Sequence, residues 1–162
     1  MIEKLSVEIE APLEEVWRLG CEYDVHYRKM SSEHLERVLV MDFEKLELGF
    51  YFRQRSPVTK RIQKIRGKVT RLELNRADEW RSVEIRFLFP YSLILYGYTS
   101  IFEGRGKKSQ LTVLLRVRFG RILKMLSKKK YNEVINHLKE ELINLKELAE
   151  SSCSEKEIGF KS

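Results

Sequence analysis

Long hydrophobic runs are missing from this chain. No segment approaches the ~20 consecutive apolar residues that a helix needs to cross a bilayer. Residues 1–10 alternate charge with apolarity and build no signal-peptide core. Cysteine is scarce: Cys21 and Cys153 stand far apart, the second in a polar stretch. That excludes a disulfide scaffold and reads as free thiols in a reducing compartment. The expectation is a cytoplasmic protein without membrane insertion. Only 3 prolines and 8 glycines occur, so no linker rich in them divides the 162 residues into two domains. Phosphate-loop and dinucleotide fingerprints are absent. Cys21 lies near His26, yet nothing marks an oxyanion hole or a third triad member, so nucleophilic catalysis has no support.

Charge is plentiful. Charged residues make up 34% of the chain, against about a quarter in an average protein. The 31 basic residues outnumber the 24 acidic ones, giving a net charge of +7 and a weak attraction to polyanions. Lys64, Arg66 and Lys68 alternate with Ile65 and Val69, and Arg116 and Arg118 flank Val117. Such alternation puts the basic side chains on an outer, solvated face, joined by Lys128–Lys130. Nucleic-acid readers interleave aromatics with such a patch. Here the aromatics alternate to the other face, and no nucleic-acid partner is expected.

Residues 2–10 alternate as a half-buried strand, with Ile2, Leu5, Val7 and Ile9 against Glu3, Ser6, Glu8 and Glu10. The run Ala11-Pro12-Leu13-Glu14-Glu15-Val16-Trp17 suits a helix start, with proline in the first turn and two glutamates at the positive end of the dipole. Gly20 is the expected stop, and a second short helix is expected over 22–30. Six strand patterns follow, at 37–43, 48–55, 61–74, 80–89, 91–102 and 110–119. Turn signals separate the later ones at 75–78, 89–91 and 104–106. From about residue 120 the period changes. Tyr131, Val134, Ile135, Leu138, Leu142, Leu145, Leu148 and Ala149 recur at three- and four-residue steps, as in one long amphipathic helix, with a separate turn at 120–126. Residues 151–162 are polar and without period, and are expected to form a disordered tail.

The fold class expected from this order is α+β. A curled antiparallel sheet of about seven strands carries two short helices after its first strand. A long C-terminal helix covers one face and leaves a cavity beneath it. The order resembles the helix-grip superfamily, which includes START lipid-transfer domains, birch-pollen-allergen-like proteins and polyketide cyclases. The resemblance spans residues 1–150, and its most familiar piece is the opening LSVEIEAPLEEVWRL. It implies a ligand-binding domain for a hydrophobic or aromatic small molecule. Trp17, Tyr27, Phe52, Phe87 and Tyr98 are the candidate cavity walls.

The long helix also carries candidate chemistry. On a helical wheel Glu141 falls at the edge of the apolar stripe, beside His137 one turn back. A histidine and a carboxylate at i, i+4 on a cavity-facing edge can hold one metal ion. They can equally be an exposed pair worth a few tenths of a kcal/mol. His34 ends YRKMSSEH, just before the first strand that follows the short helices, and Gln54 shares a strand face with Phe50 and Phe52. His34, Gln54, His137 and Glu141 are therefore expected to converge at one end of the cavity.

At these positions the sequence is similar to a narrower branch, the phloretin hydrolase and diacetylphloroglucinol hydrolase family. That family implies zinc-dependent cleavage of a carbon–carbon bond in an acylated phenol. Its ligands are a His after a Tyr-x-x-Trp-x-Pro-x-Asp-like segment, a strand Glu, and a His-x-x-x-Glu pair on the last helix. His34, His137 and Glu141 match, while Met30, Ser32 and Gln54 depart from the pattern, the last standing where the strand carboxylate belongs. Two functions stay open: a non-enzymatic binder of a hydrophobic small molecule, favoured by the missing strand carboxylate, and a zinc-dependent hydrolase or lyase acting on a phenolic ketone.

Overall fold

Alternation builds the sheet and a three- and four-residue stripe builds its cover. The computed structural model describes the backbone of residues 2–22, 24–42, 47–56, 60–75, 80–88, 94–119 and 127–159. Side chains are described within 2–20, 26–36, 53–56, 60–62, 64, 97–116, 128–129 and 131–154. In chain order the elements are β1 (Ile2–Ile9), α1 (Leu13–Trp17), a π-helical turn (Arg18–Glu22), α2 (Asp24–Met30), β2 (His34–Asp42), β3 (Glu47–Arg55), β4 (Ile62–Asn75), β5 (Trp80–Leu88), β6 (Ile94–Arg105), β7 (Lys108–Phe119) and α3 (Ser127–Gly159). The expected turn at 120–126 lies outside the described residues.

The strands form one antiparallel sheet of order β1-β7-β6-β5-β4-β3-β2. From β2 to β7 the chain meanders, and β1 pairs with the far side of β7. β1 and β2 are the two edges, so the sheet is open. Gly106 takes φ +69° as the first central residue of the two-residue β6–β7 turn, a position that favours glycine. On β7, Leu111, Val113 and Leu115 are buried while Arg116 is exposed, as the alternation predicts. Leu5 and Ile9 of β1 join them.

The core lies between this half of the sheet, the short helices and α3. Val134, Ile135, Leu138, Leu142, Leu145 and Ala149 meet Val16, Trp17 and Leu19 there, together with Tyr27 and Met30 of α2. Burying such side chains contributes roughly 1.5–3 kcal/mol apiece. No helix among the described residues is long and apolar enough to cross a membrane.

Two expectations need correction. The chain does not stop at Gly20. It runs on through the π-helical turn, whose extra residue keeps Leu19 buried in the same core as Val16 and Trp17. Nor do residues 151–159 form a disordered tail, because α3 continues to Gly159, and residues 160–162 lie outside the described residues. Cys153 packs against the core one turn beyond Ala149. The Ser152 hydroxyl donates to Glu15 Oε1 at 2.6 Å, and Ser154 Oγ donates back to the Glu150 carbonyl at 3.0 Å. These serines satisfy themselves inside a helix, which their polarity alone does not reveal.

Candidate metal centre

The site forms where α2 hands the chain to β2, under the middle of α3. After Met30 the backbone turns through residues 31–33, closed by the His34 N–H donating to the Ser31 carbonyl at 3.1 Å. The Arg55 N–H then donates to the Glu33 carbonyl at 2.8 Å, tying the turn to the end of β3. His34 pairs with Gln54 across the strands, but the register shifts between His34 and Glu36. Such a bulge re-aims the side chain beside it. Asn144 on α3 donates from Nδ2 to the Met30 carbonyl at 2.7 Å. This bond satisfies a carbonyl in the last turn of α2 and fixes α3 against α2.

Three side chains meet there. Oε1 of Glu141 lies 2.8 Å from Nε2 of His34 and 2.8 Å from Nε2 of His137. One potential ligand atom from each of the three falls within 4.8 Å of the others. The two imidazoles stand edge to face, with centroids 5.2 Å apart and planes at 80°. Both histidines are buried, and about a quarter of the Glu141 side chain is exposed.

The far nitrogens are also occupied. Nδ1 of His34 lies 2.7 Å from the Tyr27 carbonyl, which can only accept, so that nitrogen carries a proton. The Tyr27 ring stacks on His34 at 3.8 Å and 5°. Its hydroxyl donates to Gln54 Oε1 at 3.0 Å. Nδ1 of His137 faces Glu33 Oε2 at 3.1 Å and Ser31 Oγ at 3.5 Å. Two buried atoms of this group, His137 Nε2 and Glu33 Oε2, lack a hydrogen bond of good geometry.

Charge follows from these contacts. Burial alone favours neutral His137, but the hydrogen bond and charge of Glu141, then the charges of Glu33 and Glu140, raise its pKa. Burial alone favours protonated Glu141. Hydrogen bonds from His137 and His34, and then their charges, hold it well below the usual carboxylate range.

No family model and no curated protein matches the chain. Solved structures do. A hypothetical protein from Helicobacter pylori is 14% identical, with a TM-score of 0.70 over 92% of this chain and 88% of that one. An aromatase/cyclase from a Streptomyces species is 13% identical, with a TM-score of 0.68 over 93% of each chain. The human StarD13 lipid transfer and protein localization domain is 16% identical, with a TM-score of 0.64 over 91% of this chain and 76% of that one.

The chain has the helix-grip fold. In this helix-grip domain His34, His137 and Glu141 come together. Gln54 is buried, its Oε1 accepting from the hydroxyl of Tyr27, whose carbonyl meets His34. Trp17 meets Phe102 edge-on at 5.1 Å inside the core, and Tyr98 is half-buried against that core. The side chains of Phe52 and Phe87 lie outside the described residues. Sequence reasoning missed Glu33, Ser31 and Asn144. Only Glu33 carries a signal, as a carboxylate next to a candidate ligand; the other two act through contacts more than 100 residues away.

Proposed function

We propose that this helix-grip domain takes up a hydrophobic or aromatic small molecule under α3. We further propose that His34, His137 and Glu141 hold a zinc ion at the polar end of that site. One observation carries the metal reading. Both buried imidazoles turn Nε2 toward one carboxylate oxygen while each Nδ1 faces an acceptor. Zinc-binding histidines use this arrangement, with the second nitrogen tied to a carbonyl or carboxylate.

The donor set fits. Two imidazoles and a carboxylate are the ligands of many catalytic zinc sites and leave a fourth position open. With bonds of about 2.0–2.1 Å, tetrahedral donors stand roughly 3.3 Å apart. Glu141 Oε1 is nearer than that to both nitrogens, so the carboxylate has to draw back by about 0.5 Å. Its partial exposure supports that freedom. His137 Nε2, whose contact with Glu141 lacks good hydrogen-bond geometry, gains a partner at the same point. When bound, the ion would supply Lewis-acid polarisation of a substrate carbonyl. Apolar walls would orient the substrate and keep water out. The resemblance to the phloretin hydrolase branch makes an acylated phenol the substrate class to test, with cleavage of the bond to the acyl carbon.

Gln54 favours the second reading, a metal-free binder. It stands where the resembling hydrolases carry a carboxylate, and its Oε1 is engaged by Tyr27. A site without that charge binds a dication less tightly. Two measurements on tag-free protein separate the readings. Elemental analysis is expected to find about one zinc per chain, and native mass spectrometry a co-purified hydrophobic ligand. Zinc-loaded protein should then cleave an acylated phenol. A ligand without zinc, and no turnover after zinc addition, leaves the binder; neither zinc nor ligand defeats both.

A further inference from the structure

Glu33 is held at every polar group but one. Its N–H donates to Ser31 Oγ at 3.2 Å, and its carbonyl accepts from Arg55 N–H at 2.8 Å. Its Oε1 takes the Lys60 ammonium at 2.9 Å. Lys60 is itself fixed, with φ +59° at the end of the β3–β4 connection and its N–H donating to the Ser56 carbonyl at 2.9 Å. Arg55 Nη1 donates to the Lys60 carbonyl at 3.3 Å. What remains is Oε2, buried and without a well-formed hydrogen bond, 3.1 Å from Nδ1 of His137.

We propose that Glu33 is a positioning residue that keeps the imidazole proton of His137 on Nδ1, so that the lone pair of Nε2 points at the spot shared with His34 and Glu141. The proposal rests on the metal reading above. A neutral imidazole has one proton for two nitrogens, and its hydrogen-bond partners decide which holds it. His137 has a carboxylate beside each nitrogen, Glu33 on one side and Glu141 on the other. Without Glu33, Glu141 draws the proton to Nε2 and blocks that ligand. Ser31 Oγ, at 3.5 Å, is a weak substitute. His34 meets the same need through the Tyr27 carbonyl. Lys60 holds the Glu33 carboxylate but does not touch the ring.

Zinc affinity, measured by competition with a chromophoric chelator, tests this in the full chain. Glu33→Ala is expected to weaken zinc binding by about 10–100-fold, as loss of such a partner commonly does. The isosteric Glu33→Gln, whose amide oxygen still accepts, should lose less. Lys60→Ala, which removes the ion pair and spares the ring contact, should lose clearly less than Glu33→Ala. Equal losses in Glu33→Ala and Lys60→Ala, or none in Glu33→Ala, overturn the proposal. Nitrogen-15 shifts of the His137 ring give a readout that needs no metal. In metal-free wild type at alkaline pH the neutral ring should carry its proton on Nδ1. In Glu33→Ala, or in the acceptor-free Glu33→Leu if the alanine variant does not fold, the proton should move toward Nε2. An unchanged tautomer overturns the role of Glu33. Failure of wild type to take up zinc overturns only the metal reading, and the tautomer then decides the role of Glu33.

Discussion

Replacing Glu141 by glutamine keeps the shape of the cluster and removes its negative charge. In the metal-free protein Glu141 Oε1 serves both imidazoles at 2.8 Å. A hydrogen bond to a charged group contributes about 1.5–3 kcal/mol. The amide oxygen still accepts from one ring, while its NH₂ group meets the other poorly. Removing a largely buried charge recovers part of its desolvation cost. The net expected loss is about 2 kcal/mol. At ~2–4 °C per kcal/mol for a chain of this size, the melting temperature falls by roughly 4–8 °C.

The loss depends on pH with a definite sign. The pKa of His137 is raised from 6.5, although burial alone lowers it, because Glu141 stabilises the imidazolium. A raised group adds stability that is fully present below its unfolded pKa and disappears as pH rises through the folded value. The pKa of Glu141 is lowered from 4.5 against the effect of burial, by its bonds to His137 and His34. Its contribution is present above 4.5 and disappears as pH falls through the lowered value. The gap between wild type and Glu141→Gln should therefore be widest at about pH 5–6 and close at alkaline pH. Urea unfolding of chelator-treated protein, followed by circular dichroism across this range, measures it. Equal stability of the two proteins at about pH 6, or a deficit that never changes with pH, refutes the reasoning.

Other expectations are simpler. Asn144→Ala removes the bond that docks α3 on α2 and orphans the Met30 carbonyl; urea unfolding should show a loss of about 1–3 kcal/mol. Leu115→Ala opens a hole at a fully buried position of β7, and the same assay should give about 2–5 kcal/mol. Deleting residues 151–162 removes the Cys153 packing and the Ser152–Glu15 bond. It should cost about 1–3 kcal/mol, whereas a dispensable tail would leave the melting temperature unchanged.

The sequence held the fold where burial is periodic. Leu111, Val113 and Leu115 against Arg116 settle the inner face of β7, and the stripe from Val134 to Ala149 settles that of α3. Past Ala149 the signal fades because Ser151, Ser152 and Ser154 bond locally or to Glu15, which a hydropathy pattern does not register. The i, i+4 spacing of His137 and Glu141 was legible as a pair. His34 lies 107 positions from Glu141, so their meeting depends on tertiary docking and on the bulge after His34. Family resemblance linked these residues; no local pattern could. Glu33 reads as one more charged residue until the fold brings His137 against it.

Titration of zinc into chelator-treated protein by calorimetry tests the central claim most directly. Wild type should bind about one equivalent with release of protons, since bound imidazoles must be neutral at Nε2. His137→Ala should weaken binding by at least about tenfold. No binding to wild type, or unchanged affinity in His137→Ala, contradicts the account and leaves His34, His137 and Glu141 as a proton-linked buried cluster.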